Sequence, residues 1–135
     1  MSHRRAISAL FAVAALYDGI LGIAFLFAGG AVFRLFEVDP PNHFGYVQFP
    51  AAVLLIFGIM FLAVAIDPVR NRNLIPYGIL LKVAYCGVVF FYWITTGVPG
   101  MWKPFCIIDL GFLALFVWAW GAIGKAGRGL LDSGR

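Results

Sequence analysis

Three ionisable residues stand inside long apolar stretches of this sequence: Asp18, Lys82 and Asp109. A charged side chain at the centre of a membrane helix costs about 2.5–3.5 kcal/mol on insertion scales, so such a residue usually faces other helices and has a partner. We therefore expect all three side chains to point into a helical bundle. Carboxylates and an ammonium group placed there can pair, pass protons or bind a ligand, although the residues do not identify that ligand.

The composition indicates the class of protein that holds this site. Hydrophobic residues make up 63% of the 135 residues and charged residues only 12%, far from the values of soluble globular domains. A membrane-spanning helix needs about 20 apolar residues, so four spans and short connections use nearly the whole chain. We expect a single transmembrane domain over residues 1–135, with spans at about 7–27, 47–66, 74–95 and 104–123.

The residues between the spans predict how the helices are arranged. Turn-forming pairs follow the first three spans: Gly29-Gly30, Asp67-Pro68 and Pro99-Gly100. Short connections make sequential helices antiparallel neighbours. The predicted fold class is therefore all-α, an integral membrane four-helix antiparallel bundle.

The basic residues predict the orientation of this bundle. One side carries most of them (Arg4, Arg5, Arg70, Arg72, Lys125, Arg128 and Arg135), against Arg34 and Lys103 on the other. Lys and Arg are retained on the cytoplasmic side, so we expect a multi-pass protein of the bacterial cytoplasmic (inner) membrane with both termini cytoplasmic. This bias and the attraction to anionic lipid headgroups account for the net charge of +4, so membrane lipids are expected partners and nucleic acid is not.

The depth of each charge predicts which of them meet. With a rise of about 1.5 Å per residue, Asp18 lies near the midplane, Lys82 roughly 12 Å from the cytoplasmic surface and Asp109 roughly 8 Å below the outer surface. Lys82 and Asp109 are then separated by roughly 10 Å, which makes Asp18 the better partner for Lys82. The same counting separates Cys86 from Cys106 by roughly 12 Å, too far for a disulfide.

Polar neighbours extend the predicted site. Tyr17 adjoins Asp18, Tyr85 shares a helical face with Lys82, and Gln48 falls near the outer level of Asp109. The candidate ligand or proton site is therefore Asp18, Lys82, Tyr85, Asp109, Gln48 and Tyr17. The alternative is that the charges only fasten helices together, each such contact being worth about 0.6 kcal/mol on average.

No metal or cofactor is identified by these residues. The two histidines, His3 and His43, lie outside the spans, so metal or haem coordination inside the bundle is not expected. No catalytic residue set is recognised, and the chain lacks a phosphate-binding loop.

Small and aromatic residues predict the helix contacts. Ala15, Gly19 and Gly22 allow another helix to approach the first span closely. The fourth span is rich in aromatic residues, namely Phe112, Phe116, Trp118 and Trp120, which we expect to form a broad outer surface for self-association or for attachment to a larger membrane complex. The connection at 30–46 is expected to include a short amphipathic helix near 31–37 that lies on the outer surface or caps the bundle, or else to be an ordinary solvated loop with an aromatic belt.

The run Gly19-Ile20-Leu21-Gly22-Ile23-Ala24, the Gly58-containing second span and the four short spans resemble the DoxX-like small bacterial membrane proteins. The resemblance covers most of the chain at the level of pattern. It implies a four-helix bundle, and some members of that family belong to respiratory or redox membrane complexes. Their second span often carries an acidic residue near its start, where this sequence has Gln48, so no functional residue is transferred.

Three classes of function remain open. The first is a small accessory or interaction subunit, homo-oligomeric or part of a larger membrane complex, whose surfaces bind lipid, pigment, quinone or a partner protein. The second is a proton, ion or small-molecule pathway that uses Asp18, Lys82 and Asp109. The third is a membrane enzyme that acts on a lipid-soluble substrate through acid–base groups. A pathway requires Asp18 to contact a water-filled cavity, whereas a fastener requires it to be dry and paired.

Overall fold

The computed structural model describes residues 3–134. Four α-helices make up most of this part of the chain: α1 at His3–Leu35, α2 at Gly45–Ile66, α3 at Ile75–Ile94 and α4 at Trp102–Ser133. A short 3-10 turn at Arg72–Leu74 precedes α3, and no strand occurs within residues 3–134. All four helices are long and apolar enough to cross a membrane, so the prediction of an all-α protein with four helices of membrane-spanning length and composition is confirmed. Arg135, which the orientation prediction used, lies outside the described residues.

The first helix is longer than predicted and bent. It continues through Gly29 and Gly30 to Leu35, and only Ala28 departs from helical geometry, with φ −130° and ψ 25°. The predicted break therefore lies at Ala28, directly before the two glycines, and the helical segment that follows it to Leu35 corresponds to the short helix predicted near 31–37. Beyond the kink, the buried Phe33 ring lies 6.2 Å from the Trp102 ring at the start of α4. The end of α1 thus covers one end of the bundle.

The connection between α2 and α3 is attached to two different helices. The Asn71 side-chain amide donates hydrogen bonds to Ala63 O at 2.9 Å and to Asp67 O at 3.1 Å, which satisfies carbonyl groups at the end of α2. The next residue, Arg72, donates from Nε and Nη2 to Trp120 O of α4 at 3.2 and 3.1 Å. Its guanidinium group also lies 4.4 Å from the centroid of the Trp120 ring.

Glycines allow α1 and α2 to pack in close contact. A Cβ atom added to Gly22 would lie 2.8 Å from Ala51 O, and one added to Gly58 would lie 3.1 Å from Gly19 N. Both distances are shorter than ordinary van der Waals contact, so a larger side chain would push the helices apart. The prediction that small residues of the first span allow close approach is confirmed, and α2 is the helix that approaches.

Three phenylalanines fill the part of the bundle nearest the α2–α3 connection. Phe11 of α1, Phe61 of α2 and Phe116 of α4 are each 0% exposed. The Phe11 and Phe116 rings stack at 4.6 Å between centroids, and Phe61 lies 5.8 Å from Phe11 and 5.2 Å from Phe116. We call these residues the aromatic cluster. Aliphatic side chains surround it, so this half of the bundle is closely packed and apolar.

The position of Phe116 corrects one expectation about α4. We predicted that Phe112 and Phe116 belong to the outer surface, but Phe116 is fully buried and Phe112 packs against the same core. Trp118 and Trp120 are exposed by 42% and 41%. Residues three, four and seven positions from Asp109 share its inward face, and this stripe includes Phe112 and Phe116.

Candidate functional site

Lys82 binds two carboxylates at the centre of the bundle. Its Nζ atom donates to Asp18 Oδ1 at 3.1 Å, to Asp18 Oδ2 at 3.0 Å and to Asp109 Oδ1 at 3.0 Å. Asp18 comes from α1, Lys82 from α3 and Asp109 from α4, and their exposed fractions are 1%, 0% and 7%. We call these three residues the triad. Buried charges are tolerated only when they are paired and hydrogen-bonded, so the charged groups of the triad depend on one another. The triad thereby holds three helices together.

The triad confirms one predicted pairing and corrects another. The expected pairing of Asp18 with Lys82 is present, but the roughly 10 Å separation that we predicted between Lys82 and Asp109 was wrong, because their charged atoms lie 3.0 Å apart. The cysteines show the same error, since Cys86 Sγ lies 3.6 Å from Cys106 O. Both thiols are nevertheless free.

A common cause explains the two errors of position. The depth estimate placed the ends of all predicted spans at the membrane surfaces, so that each residue's depth followed from its distance to the nearest end. In the structure α3 ends at Ile94 and α4 begins at Trp102, close to the predicted ends at 95 and 104. Distance from a helix end therefore did not predict which groups meet, and the contact with Asp109 is made by Nζ at the end of the long Lys82 side chain.

Aromatic rings surround the Lys82 ammonium group. Nζ lies 5.6 Å from the centroid of Tyr17, 5.3 Å from that of Phe112 and 5.8 Å from that of Phe61. The faces of aromatic rings attract cations, and this attraction is stronger where water is excluded. Phe61 also belongs to the aromatic cluster, so the triad lies directly against the closely packed half of the bundle.

The two tyrosines of the predicted site differ in their hydrogen bonds. Tyr85 donates its hydroxyl proton to Trp102 O at 2.9 Å, which joins α3 to α4. The Tyr17 hydroxyl is buried and has no hydrogen-bond partner within the described chain. An unsatisfied buried polar group costs about 1–3 kcal/mol, so the Tyr17 hydroxyl does not stabilise the bundle as the Tyr85 hydroxyl does.

Gln48 is the predicted site residue that the structure leaves outside. Its side chain is exposed, and no hydrogen bond described for residues 3–134 joins it to the triad. Its neighbours Val47 and Phe49 line the cavity described next, but Gln48 does not. Adjacent residues of a helix point about 100° apart. Gln48 was predicted to lie at the same depth as Asp109, but an equal depth does not mean that its side chain points toward the triad.

A cleft of about 600 Å³ lies beside the triad and was not predicted from the sequence. It separates the first half of α2 from the second half of α3, and it also touches α1 and α4. Among the residues that line it, Asp18 and Asp109 carry carboxyl groups, and Tyr17, Tyr46, Tyr85 and Tyr92 carry hydroxyl groups. The other side chains around it are apolar or aromatic, among them Val53, Leu54, Val88, Val89, Trp102 and Phe105.

The cleft exists because α2 and α3 contact each other at one end only. Near the α2–α3 connection a Cβ added to Gly78 would lie 2.6 Å from a ring atom of Phe61, which shows how closely the helices meet there. Further along they share the cleft. Cleft residues Tyr46, Phe49 and Val88 are exposed by 72%, 73% and 60%, so the opening is bordered by apolar side chains. Such an opening suits contact with lipid better than contact with water.

The polar groups of the site do not form a metal-binding set. No group of three or more His, Cys, Asp or Glu residues that could hold a metal ion occurs in the part of the chain that the structure describes. Two carboxylates do meet at the triad, but Lys82 already occupies the space between them. The triad instead places two carboxylates at the base of an otherwise largely apolar cleft.

Comparison with known proteins adds no relative. No family model matches the sequence, and no curated protein and no solved structure is significantly similar to it. The resemblance to the DoxX-like proteins therefore stays a prediction from the sequence pattern. The arguments about function below depend on the triad, the cleft and the helix surfaces.

Proposed function

We propose that this protein is a small integral membrane accessory subunit, self-associated or part of a larger complex in a bacterial cytoplasmic membrane. The observation that carries the proposal is the state of the triad: its charges bind one another and tie α1, α3 and α4 together. Side chains used in this way stabilise a scaffold. In the proposed antiparallel bundle, Arg4 at the start of α1 meets Asp67 just after the end of α2, and Tyr85 of α3 binds Trp102 at the start of α4.

The proposed orientation places both termini in the cytoplasm. The end of the bundle that contains the aromatic cluster also carries Arg4, Arg70 and Arg72. On α4 the cluster is followed by Lys125 and Arg128. Lys and Arg near the ends of membrane helices favour the cytoplasmic side. In this orientation the closely packed half faces the cytoplasm and the cleft belongs to the outer half of the membrane.

The exposed face of α4 is the surface that we assign to association. Gly111, Ala114, Trp118 and Gly121 are spaced by three or four residues, and added Cβ atoms at both glycines would meet no neighbouring atom of the described chain within 4 Å. Small residues at this spacing allow a second helix to approach closely in a membrane. A second copy of the chain or a helix of another subunit fits this face.

The test is the mass of the particle extracted from its native membrane in a mild detergent, measured by native mass spectrometry. We expect a particle heavier than the 14.8 kDa chain. Gly111→Leu on α4 is expected to release the single chain, whereas Gly87→Leu is the matched control, because Gly87 of α3 also has no neighbour within 4 Å. A wild-type particle that contains one chain alone contradicts the accessory role.

A proton or ion pathway is the second candidate, because Asp18 and Asp109 line the cleft. The aromatic cluster opposes it, since a pathway through one chain has to cross three fully buried phenylalanine rings next to Lys82. Proton flux into liposomes separates the two candidates. Flux in the wild type that is lost in both Asp18→Asn and Lys82→Met, at equal incorporation, favours the pathway. Absence of flux in the wild type favours the accessory role.

A further inference from the structure

The triad contains more negative than positive charge. With both carboxyl groups ionised, two carboxylates face one ammonium group, and the sum is one negative charge in excess. Asp18 uses both of its oxygens to bind Lys82, whereas Asp109 uses only Oδ1. Within residues 3–134 no hydrogen bond is described for Asp109 Oδ2. Asp109 is also the most exposed member of the triad, at 7%. Both carboxylates line the cleft, and the excess charge is assigned to Asp109, because it has the unused oxygen.

The excess negative charge at Asp109 favours the binding of a cation. An uncompensated charge buried away from water is costly, and the triad becomes neutral only when it takes up a proton or another positive charge. The charged residues that line the cleft are Asp18 and Asp109, both acidic, whereas Lys82 lies behind them and is 0% exposed. The electrostatic field in the cleft thus attracts positive ligands and repels negative ones.

The remaining surface of the cleft determines what kind of cation fits. Its walls are aliphatic and aromatic, and the rings of Tyr85, Tyr92, Trp102 and Phe105 are among them. Aromatic faces attract organic cations, whereas a small inorganic cation would find few oxygen ligands here. The volume of about 600 Å³ falls within the range of sites for drug-sized molecules. The Tyr17 hydroxyl, which has no hydrogen-bond partner within the described chain, is a second, independent sign that polar groups beside the cleft lack a partner.

We propose that the cleft between α2 and α3 binds a lipophilic organic monocation, with Asp109 as the carboxylate that faces its charge. The cation enters sideways, past the exposed apolar residues between the two helices. Asp18 and Lys82 are positioning residues, because their mutual pairing leaves Asp109 with an unused oxygen. This site is separate from the accessory role, since it requires the folded bundle and does not require a partner subunit.

The test uses two probes of the same shape and opposite charge, tetraphenylphosphonium and tetraphenylborate. Binding to the purified full-length chain in detergent micelles is measured by equilibrium dialysis, with protein-free micelles as the baseline. We expect saturable binding of the cation and none of the anion above that baseline. Asp109→Asn is expected to weaken cation binding by about tenfold or more, because it removes the charge and keeps the shape. Asp39→Asn removes an exposed acidic charge outside the cleft and is expected to bind as the wild type does.

A second pair of variants tests the cleft without changing its charge. Val88→Trp places a large ring at the opening, on a residue that is already 60% exposed, and is expected to block the cation. Val83→Trp makes the same change on α3 outside the cleft, where the residue is 48% exposed, and is expected to leave binding unchanged. Equal binding of both probes, unchanged cation binding in Asp109→Asn or in Val88→Trp, or absence of cation binding in the wild type overturns the proposal.

Discussion

Replacement of Lys82 by Met tests the energetic importance of the triad. Methionine keeps an unbranched side chain of comparable length, but it removes all three hydrogen bonds that Nζ donates. The carboxylates of Asp18 and Asp109 then face each other without a counter-charge at a site where Lys82 is 0% exposed. Loss of one partner from a buried ion pair costs about 3–5 kcal/mol. An average polar contact between membrane helices contributes only about 0.6 kcal/mol. A buried ion network and a simple polar fastener therefore predict losses of stability that differ several-fold.

The free energy of unfolding is measured by titration of the purified protein from mild detergent into sodium dodecyl sulfate, followed by tryptophan fluorescence. We expect Lys82→Met to lower it by about 3–5 kcal/mol. Val83→Met is the matched control, because its exposed side chain on the same helix should change the value by no more than about 0.5 kcal/mol. A loss below about 1 kcal/mol in Lys82→Met refutes the triad as a major stabilising element and favours the simple fastener.

The cause of the loss is tested by removing the charges that Lys82 leaves behind. In the triple variant Asp18→Asn, Lys82→Met, Asp109→Asn no ionised group remains at the centre of the bundle. Replacement of a whole buried ion network by neutral groups is often close to neutral in stability. We therefore expect the triple variant to recover more than half of the free energy lost in Lys82→Met. A triple variant that is as unstable as the single one shows that packing, and not uncompensated charge, causes the loss.

Further predictions concern helix approach, buried hydroxyls and thiols. Gly22→Ala is expected to lower the free energy of unfolding by about 1–3 kcal/mol, because its methyl group would press against the α2 backbone, whereas Gly19→Ala, which has open space, should cost nothing. Equal effects of the two changes contradict the close contact. Tyr17→Phe removes an unpartnered hydroxyl and should leave the protein equally or more stable, while Tyr85→Phe loses a hydrogen bond and about 1 kcal/mol. The reverse order would refute this assignment. Cys86, only 3% exposed, should react with a maleimide only after unfolding, so rapid labelling of the native protein would show that it opens readily.

Much of the fold follows from local sequence properties. Apolar length predicted the four helices, because a helix has to satisfy its own backbone polar groups wherever water is absent. The pairing of Asp18 with Lys82 was also predictable, because two opposite charges in apolar surroundings have strong reason to meet. Gly22 indicated close helix contact on the same local grounds.

The features that were missed depend on relations between helices. Asp109 was misplaced because counting residues from the helix ends does not show which side chains of α3 and α4 meet, and Nζ of Lys82 reaches Asp109 Oδ1 from the end of a long side chain. The direction of Gln48 depends on the rotation of α2, and an error of one residue turns a side chain by about 100°. The cleft arises where α2 and α3 diverge beyond the contact of Phe61 with Gly78, and no pattern within either helix records that divergence.

The peptide bond between Asn71 and Arg72 joins two halves that are each anchored separately. Asn71 completes the end of α2, which packs mainly on α1, and Arg72 is fixed to Trp120 of α4, which packs mainly on α3. Two contacts join the halves: Phe61 packs against Gly78, and Asp18 binds Lys82. In each contact one residue precedes the bond between Asn71 and Arg72, and the other follows it. We therefore expect the gene to tolerate division at this point: co-expressed fragments 1–71 and 72–135 should assemble into the native bundle without covalent linkage.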